Sequence, residues 1–307
     1  MPNTFYGPYT ERNSTYANAG NANLGRWPLG HILILPDHRE YRFTLNDGTV
    51  EVAGNLYQGV AAVAGHTNIA ADVVRAIGAT ALSATLNGTA PAADIYAEGV
   101  AHTNDEVGEA YAYRIRRAMT AGAAHASAAS AAVLTVNLQA GESVQVALTT
   151  ASEMTFTRNR YHQVTLHVGP PTALLSGVSP GVAALDRFYW SQVKGYTAVL
   201  ADLTLLAGNR VMPSIAQDGR VEGFKRRVRT AGTSVIFLSN TAFWGIGVAD
   251  ADGTEVAGVY AIYSVISAAV AATYDVTGGI AYNGPDIGVC VKANASTEYA
   301  LIDLNIV

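Results

Sequence analysis

A two-residue hydrophobic period dominates the middle of this chain. Leu134, Val136 and Leu138 alternate with Thr135 and Asn137; Val144, Val146 and Leu148 alternate with Gln145, Ala147 and Thr149; Val164, Leu166 and Val168 alternate with Thr165 and His167. In an extended strand successive side chains point to opposite faces, so this spacing gathers the apolar groups on one face, which a helix of 3.6 residues per turn would not do. Ala140-Gly141-Glu142 and Arg158-Asn159-Arg160 separate these segments with turn-forming residues. Short strands joined by short turns predict a mostly β fold of antiparallel sandwich or barrel units.

The flanking sequence divides around this region. Residues 1–27 are rich in Asn, Tyr, Gly, Ser and Thr and have neither period, which predicts an extended N-terminal arm. Such an arm would order against a neighbouring subunit through Tyr6, Tyr9, Tyr16 and Trp27, and its removal up to Arg26 is expected to leave the rest folded. His31–Leu35 reads as a buried strand ended by Pro36-Asp37, and Tyr41–Leu45 followed by Asn46-Asp47-Gly48-Thr49 reads as the start of a β-hairpin. Asn68–Arg75 is expected to form a short helix capped by Asn68. Tyr96–Ala101 and Ala110–Ile115 are expected strands around a turn at Thr103–Glu106. Proline and glycine cluster between Gly169 and Gly181, the predicted boundary between a β-rich domain (28–170) and a second, β-barrel-like domain (182–307). Phe188–Val193, Asp286–Val291 and Tyr299–Ile306 are the clearest strands beyond it.

Composition narrows the function classes. The chain has 307 residues, 14% of them charged, with 19 Lys+Arg against 24 Asp+Glu and a net charge of −5, a balance that disfavours general attraction to nucleic acid. The single cysteine, Cys290, lies in an apolar run and is expected to be a small buried thiol. Met1-Pro2-Asn3-Thr4-Phe5-Tyr6 has no basic or apolar leader pattern, and no secretory signal is expected. Val256–Tyr274 is apolar but interrupted by Gly258, Tyr260, Tyr263, Ser264 and Ser267, a composition for burial or an interface rather than a membrane. Sixteen tyrosines against seven Phe and three Trp mean that most rings carry a hydroxyl; they suit subunit contacts and equally suit half-buried strand positions.

The residues that could carry chemistry are sparse. His102 near Asp105, Glu106 and Glu109 matches no defined metal or acid–base spacing, and a polar turn explains it. His162 and His167, five apart, would face opposite sides of a strand and are not expected to share an ion. Gly245-Ile246-Gly247 lacks the third glycine of a dinucleotide fingerprint, and the Walker and His-Glu-x-x-His patterns are missing from the sequence. No metal, cofactor or catalytic residue is therefore assigned. Lys225-Arg226-Arg227-Val228-Arg229 is the one dense basic run, either a contact for an acidic patch on a partner or a solvated loop. Arg114-Ile115-Arg116-Arg117 reads as a strand with outward charges.

Gly25-Arg26-Trp27-Pro28-Leu29-Gly30 leading into Leu35–Phe43 resembles the opening of virion proteins of marine tailed bacteriophages. Gln192-Val193-Lys194-Gly195, Leu206-Ala207-Gly208-Asn209, Val211-Met212-Pro213-Ser214 and the ending Ala293–Leu304 resemble segments of phage head-decoration, or cement, proteins. The resemblance covers both ends and about half of the chain, and its motifs are turn glycines and alternating strands. It implies a virion structural protein on the capsid surface, a homotrimer that binds the major capsid protein outside an icosahedral head and stabilises the shell, with neither nucleic acid nor membrane as partner. A fibre-type or host-recognition binding protein of the virion is the alternative; its sign would be an exposed aromatic cluster suited to sugar. Arm tyrosines Tyr6, Tyr9 and Tyr16, with Trp27 and the basic residues Lys225, Arg226, Arg227 and Arg229, are the expected partner contacts.

Overall fold

The computed structural model describes residues 4–17, 27–118, 122–223, 227–229, 235–237, 285–295 and 297–306. Its spine is a fourteen-residue strand whose sequence, RFYWSQVKGYTAVL, changes character halfway. From Phe188 to Val193 every residue is buried, and from Lys194 onward burial alternates, so the first half is covered on both faces and the second has one face in solvent. Gly195, at φ +85°, marks the change, and a Cβ there would lie 2.8 Å from Arg39 Cγ.

Elements before the spine in sequence are β1 (Thr4–Tyr6), a 3-10 turn (Tyr9–Asn13), β2 (Tyr16–Ala17), β3 (Ile32–Ile34), β4 (Glu40–Leu45) and β5 (Leu56–Gln58). After a long excursion come β6 (Ile69–Ala70), β7 (Ala81–Thr85), β8 (Val100–Asp105), β9 (Ala112–Arg114), β10 (Val133–Asn137) and β11 (Glu153–Thr157). The chain returns with β12 (Thr165–Leu166), β13 (Leu175–Val178) and the spine itself, β14 (Arg187–Leu200). It continues through β15 (Arg210–Pro213), β16 (Val221–Gly223), the pair β17 (Arg227–Arg229) and β18 (Val235–Phe237), then β19 (Gly288–Lys292) and β20 (Tyr299–Asn305).

Twelve strands join one sheet, ordered β1-β3-β4-β14-β20-β19-β15-β16, with β2, β5, β12 and β13 attached beside this path. The fold is mostly β with antiparallel sheets, as its alternation predicts, and no closed barrel forms among the described residues. β4 pairs with the first half of β14 and β20 with the second. Register sets the core: Trp190 faces Phe43 and Phe188 faces Leu45. The resulting aromatic stack has Phe43 on Phe188 at 5.2 Å and Phe43 on Trp190 at 5.0 Å.

Several sequence expectations give way here. The stretch 169–181 does not separate two sheets. It contributes β13, fully buried and paired with β5 and β14, and the sheet joins strands from both sides of it. The division that the core makes lies elsewhere: Gly59 meets Arg160, with a Cβ on Gly59 falling 3.0 Å from the Arg160 carbonyl oxygen, so the chain leaves and re-enters the sheet at one point. Between them, a separate core runs from Ile69 to Phe156, covered by the four-stranded sheet β6-β11-β8-β9 and the pair β10-β7. Asn68–Arg75 is not helical; Asn68 has φ +51° and Ile69–Ala70 pairs with β11, because the neighbouring sheet supplies hydrogen bonds that the short helix would have had to provide alone. The strand expected at Tyr96–Ala101 begins at Val100 and runs to Asp105, taking up most of the expected turn. Val144–Thr149 forms only a bridge, Leu148 to Arg75. The Asn46–Thr49 turn is present, but no hairpin follows it: β5 pairs with β12 and β13 instead of β4, whose two edges are taken by β3 and β14.

The N-terminal segment is also corrected. It lies on its own sheet, β1 parallel to β3 and β2 antiparallel to β14, and Tyr16 and Phe5 pack on the aromatic core. Glu11 accepts hydrogen bonds from the Tyr16 hydroxyl and, at 3.3 Å, from Trp190 Nε1.

Candidate functional site

The groove of greatest interest lies on the solvent face of the β14–β20 pair. It has a volume of about 420 Å³ and is lined by Arg12, Arg39, Ala53, Gly54, Ser179, Pro180, Gln192, Tyr196, Thr197, Ala198, Tyr299 and Leu301. Strand alternation builds its floor: Val199, Ala300 and Ile302 turn into the core, so Ala198 and Leu301, paired across the strands, turn outward. Tyr196 and Tyr299 stand at its two ends, both more than half exposed. Opposite them come the arginines, Arg12 from the 3-10 turn and Arg39 from the β3–β4 connection.

Two glycines seat these walls. Gly54, at φ +77°, leaves room for the Tyr299 ring, which any Cβ would strike, and the Tyr299 hydroxyl donates to the Ala53 carbonyl at 3.3 Å. Gly195 does the same for Arg39. Asp37 engages Arg39 Nε at 2.7 Å, which fixes the guanidinium; burial alone would raise the Asp37 carboxyl, but the hydrogen bonds and charge of Arg39 together outweigh it and hold the group below its ordinary range. Tyr41 lies buried beneath; burial raises its hydroxyl pKa, and the charges of Arg39 and Arg12 oppose that rise.

An apolar rim continues from the groove. Residues 51–55 run antiparallel to 179–183, with the amide of Glu51 donating to Ala183 O at 2.8 Å and that of Gly54 to Ser179 O at 2.8 Å. Glu51 and Ala183 point inward, so Val50, Val52, Val182 and Ala184 point out, and Val182 is 70% exposed. Beneath this rim Glu51 is 1% exposed. Burial pushes its pKa up to about 8; the hydroxyls of Tyr189 and Tyr57 oppose the rise and the charge of Asp47 adds to it.

A second polar cluster joins the inserted core to the sheet. Glu98 accepts from the Leu29 amide at 2.9 Å and pairs with Arg117 at 3.2 Å; burial raises its pKa to about 7 against those contacts. Nearby, His66 bonds the Tyr96 hydroxyl, and His125 Nε2 accepts from the Tyr96 amide at 3.1 Å. His162 is held to a pKa of about 3 by burial and by the charges of Arg158 and His125.

The sequence-selected residues scatter over this structure. Tyr6 and Tyr9 are exposed. Tyr16 and Trp27 are partly buried against the aromatic core: Trp27 lies 5.5 Å from Phe5, 5.4 Å from Phe43 and 5.1 Å from Trp190. Both help anchor the chain's own core. Lys225 and Arg226 lie outside the described residues, as does Val256–Tyr274, while Arg227 and Arg229 lie on β17. His102 lies on β8 and pairs with Thr155 and Ala112. His167 accepts the Gly219 amide at Nδ1 (3.0 Å), which leaves Nε2–H to donate to Ser214 O (3.0 Å), a structural role. Cys290 is buried, as expected. Arg114 and Arg116 face outward as expected, and Arg117 turns in to Glu98.

Among the described residues no group of three or more His, Cys, Asp or Glu is arranged to hold a metal ion, and no helix is long and apolar enough to cross a membrane. The groove residues Arg12, Arg39, Tyr196 and Tyr299 were not singled out by sequence; nothing local marks them, since they come from four distant segments. Compared with protein-family models, with curated proteins and with solved structures, the chain matches none.

Proposed function

We propose that this chain is a virion structural protein, a decoration or cement protein that binds the major capsid protein on the outside of an icosahedral phage head as a homotrimer. The observation that carries this reading is the outward apolar rim of Val50, Val52, Val182 and Ala184 on the two segments joined by the Glu51–Ala183 bridge. A grouped apolar surface stabilises association through burial that salt screens little, which suits a protein bracing a shell. Repetition over a symmetric lattice adds avidity to contacts that are individually weak. Replacing Val52 and Val182 together by Asp tests it. Co-sedimentation with purified phage heads should fall about tenfold or more, with the thermal melt unchanged because both side chains are already solvated. Undiminished binding would remove the rim from the contact.

A second reading, a fibre-type or host-recognition protein, is favoured by one observation, the exposed pair Tyr196 and Tyr299 around a groove. The two readings differ in copy number per particle.

A further inference from the structure

The groove has a chemistry of its own, independent of whether the valine rim meets a shell. By register Tyr196 pairs with Asp303 and Tyr299 with Leu200, so the two rings are offset by four residues along the strands, roughly 13 Å. Ala198 and Leu301 form a small, flat floor between them. Its volume of about 420 Å³ lies within the size of small-ligand sites.

The sheet beneath limits what can bind. β20 is held between β14 and β19, whereas β14 beyond Lys194 is laddered to β20 alone; on its other side the Gln192 side-chain amide donates to the carbonyls of Lys194, Gly195 and Tyr196, and the Leu200 amide donates to Gly54 O. The edge left between them, Thr197 to Val199, is too short for an extended peptide to pair along, and the rest of its backbone would find no partners. A ligand recognised through side chains alone fits better: a rigid ring with apolar C–H faces to stack on tyrosine, hydroxyls that remain hydrated, and a negative group for the arginines. Arg39 is fixed by Asp37 at one of its five donors, and Arg12 faces the same space. Asp37 and Asp303 are the neighbouring acids, and they exclude ligands of high negative charge more than they exclude a single carboxylate.

We propose that this groove binds a carboxylate-bearing saccharide of two or three rings, its sugar faces on Tyr196 and Tyr299 and its carboxylate between Arg12 and Arg39. The glycines at 54 and 195 preorganise the site by seating Tyr299 and Arg39 before ligand arrives.

The test titrates the full chain with cellobiouronate, a disaccharide bearing a single carboxylate, with its methyl ester and with an acidic tetrapeptide, followed by calorimetry and by amide chemical shifts. The expected result is saturable binding of cellobiouronate, at least about tenfold weaker binding of the ester, and shifts centred on residues 196–198 and 299–301. Arg12→Gln and Tyr196→Ala should each weaken it by about tenfold, and Ala198→Phe, at an exposed floor position, should abolish it by filling the space between the rings. Thermal melts confirm that each variant is folded. Equal binding of acid and ester, no binding of either, shifts elsewhere, or tighter binding of the tetrapeptide would each overturn the assignment. Head binding by the same variants is measured in parallel, so loss of the saccharide site and loss of the shell contact are read separately.

Discussion

Glu51 is a carboxylic acid kept neutral inside the sheet. Its pKa of about 8, against an ordinary value of 4.5, means that the folded state holds a proton that the unfolded chain releases. Stability from this group is therefore full below about pH 4.5, falls as pH rises, and stops falling above about 8, a total of roughly 5 kcal/mol at about 1.4 kcal/mol per pH unit. His162 acts with the opposite sign. Its pKa, lowered from 6.5 to about 3, gives stability that is full above about pH 6.5 and is lost as pH falls toward 3. Denaturant titrations should show Glu51→Gln gaining on the unsubstituted protein between about pH 5 and pH 8, and His162→Gln gaining on it between about pH 6 and pH 4. Parallel pH profiles for all three proteins would contradict both assignments. The sequence made Cys290 legible as buried because its neighbours are all apolar, whereas Glu51 carries no such mark: its burial follows from pairing with Ala183, more than a hundred residues away.

At the scale of elements, the N-terminal segment and the insert behave differently from what a linear reading implies. Period-2 alternation located β4, β10 and β20 because each buries one face. It failed for the N-terminal segment, whose order comes from aromatic packing on β4 and β14 rather than from any period of its own. Deleting residues 1–26 should therefore destabilise the protein by about 3 kcal/mol or more, since it removes Phe5 and Tyr16 and uncovers Trp190 and Phe43; a denaturant melt with a red shift in tryptophan emission measures it. An unchanged melt would restore the dispensable arm. The 169–181 stretch misled for a related reason: proline and glycine mark where a chain turns, and here the turn feeds a central strand. What marks the insert is spatial, the meeting of Gly59 with Arg160. A fragment of residues 60–159 should fold alone, with dispersed amide resonances, because its core from Ile69 to Phe156 draws on nothing outside it. A collapsed fragment without dispersion would make the insert dependent on Leu29 and the sheet.

For the whole molecule, two surface features adjoin along the 51–54 and 179–183 segments, an apolar rim and a groove walled by tyrosine and arginine. Neither was legible in sequence, since the rim needs the 51–183 pairing and the groove needs four segments brought together, although the mostly β class was plain from the alternation. The rim is the feature on which the shell-bracing account depends. The most direct test of that proposal is whether this chain is carried on purified tailed-phage particles and in what copy number, measured by quantitative mass spectrometry against the major capsid protein. A bracing protein should be present in hundreds of copies at a fixed ratio to the capsid protein; a handful of copies per particle, or none, would contradict the account.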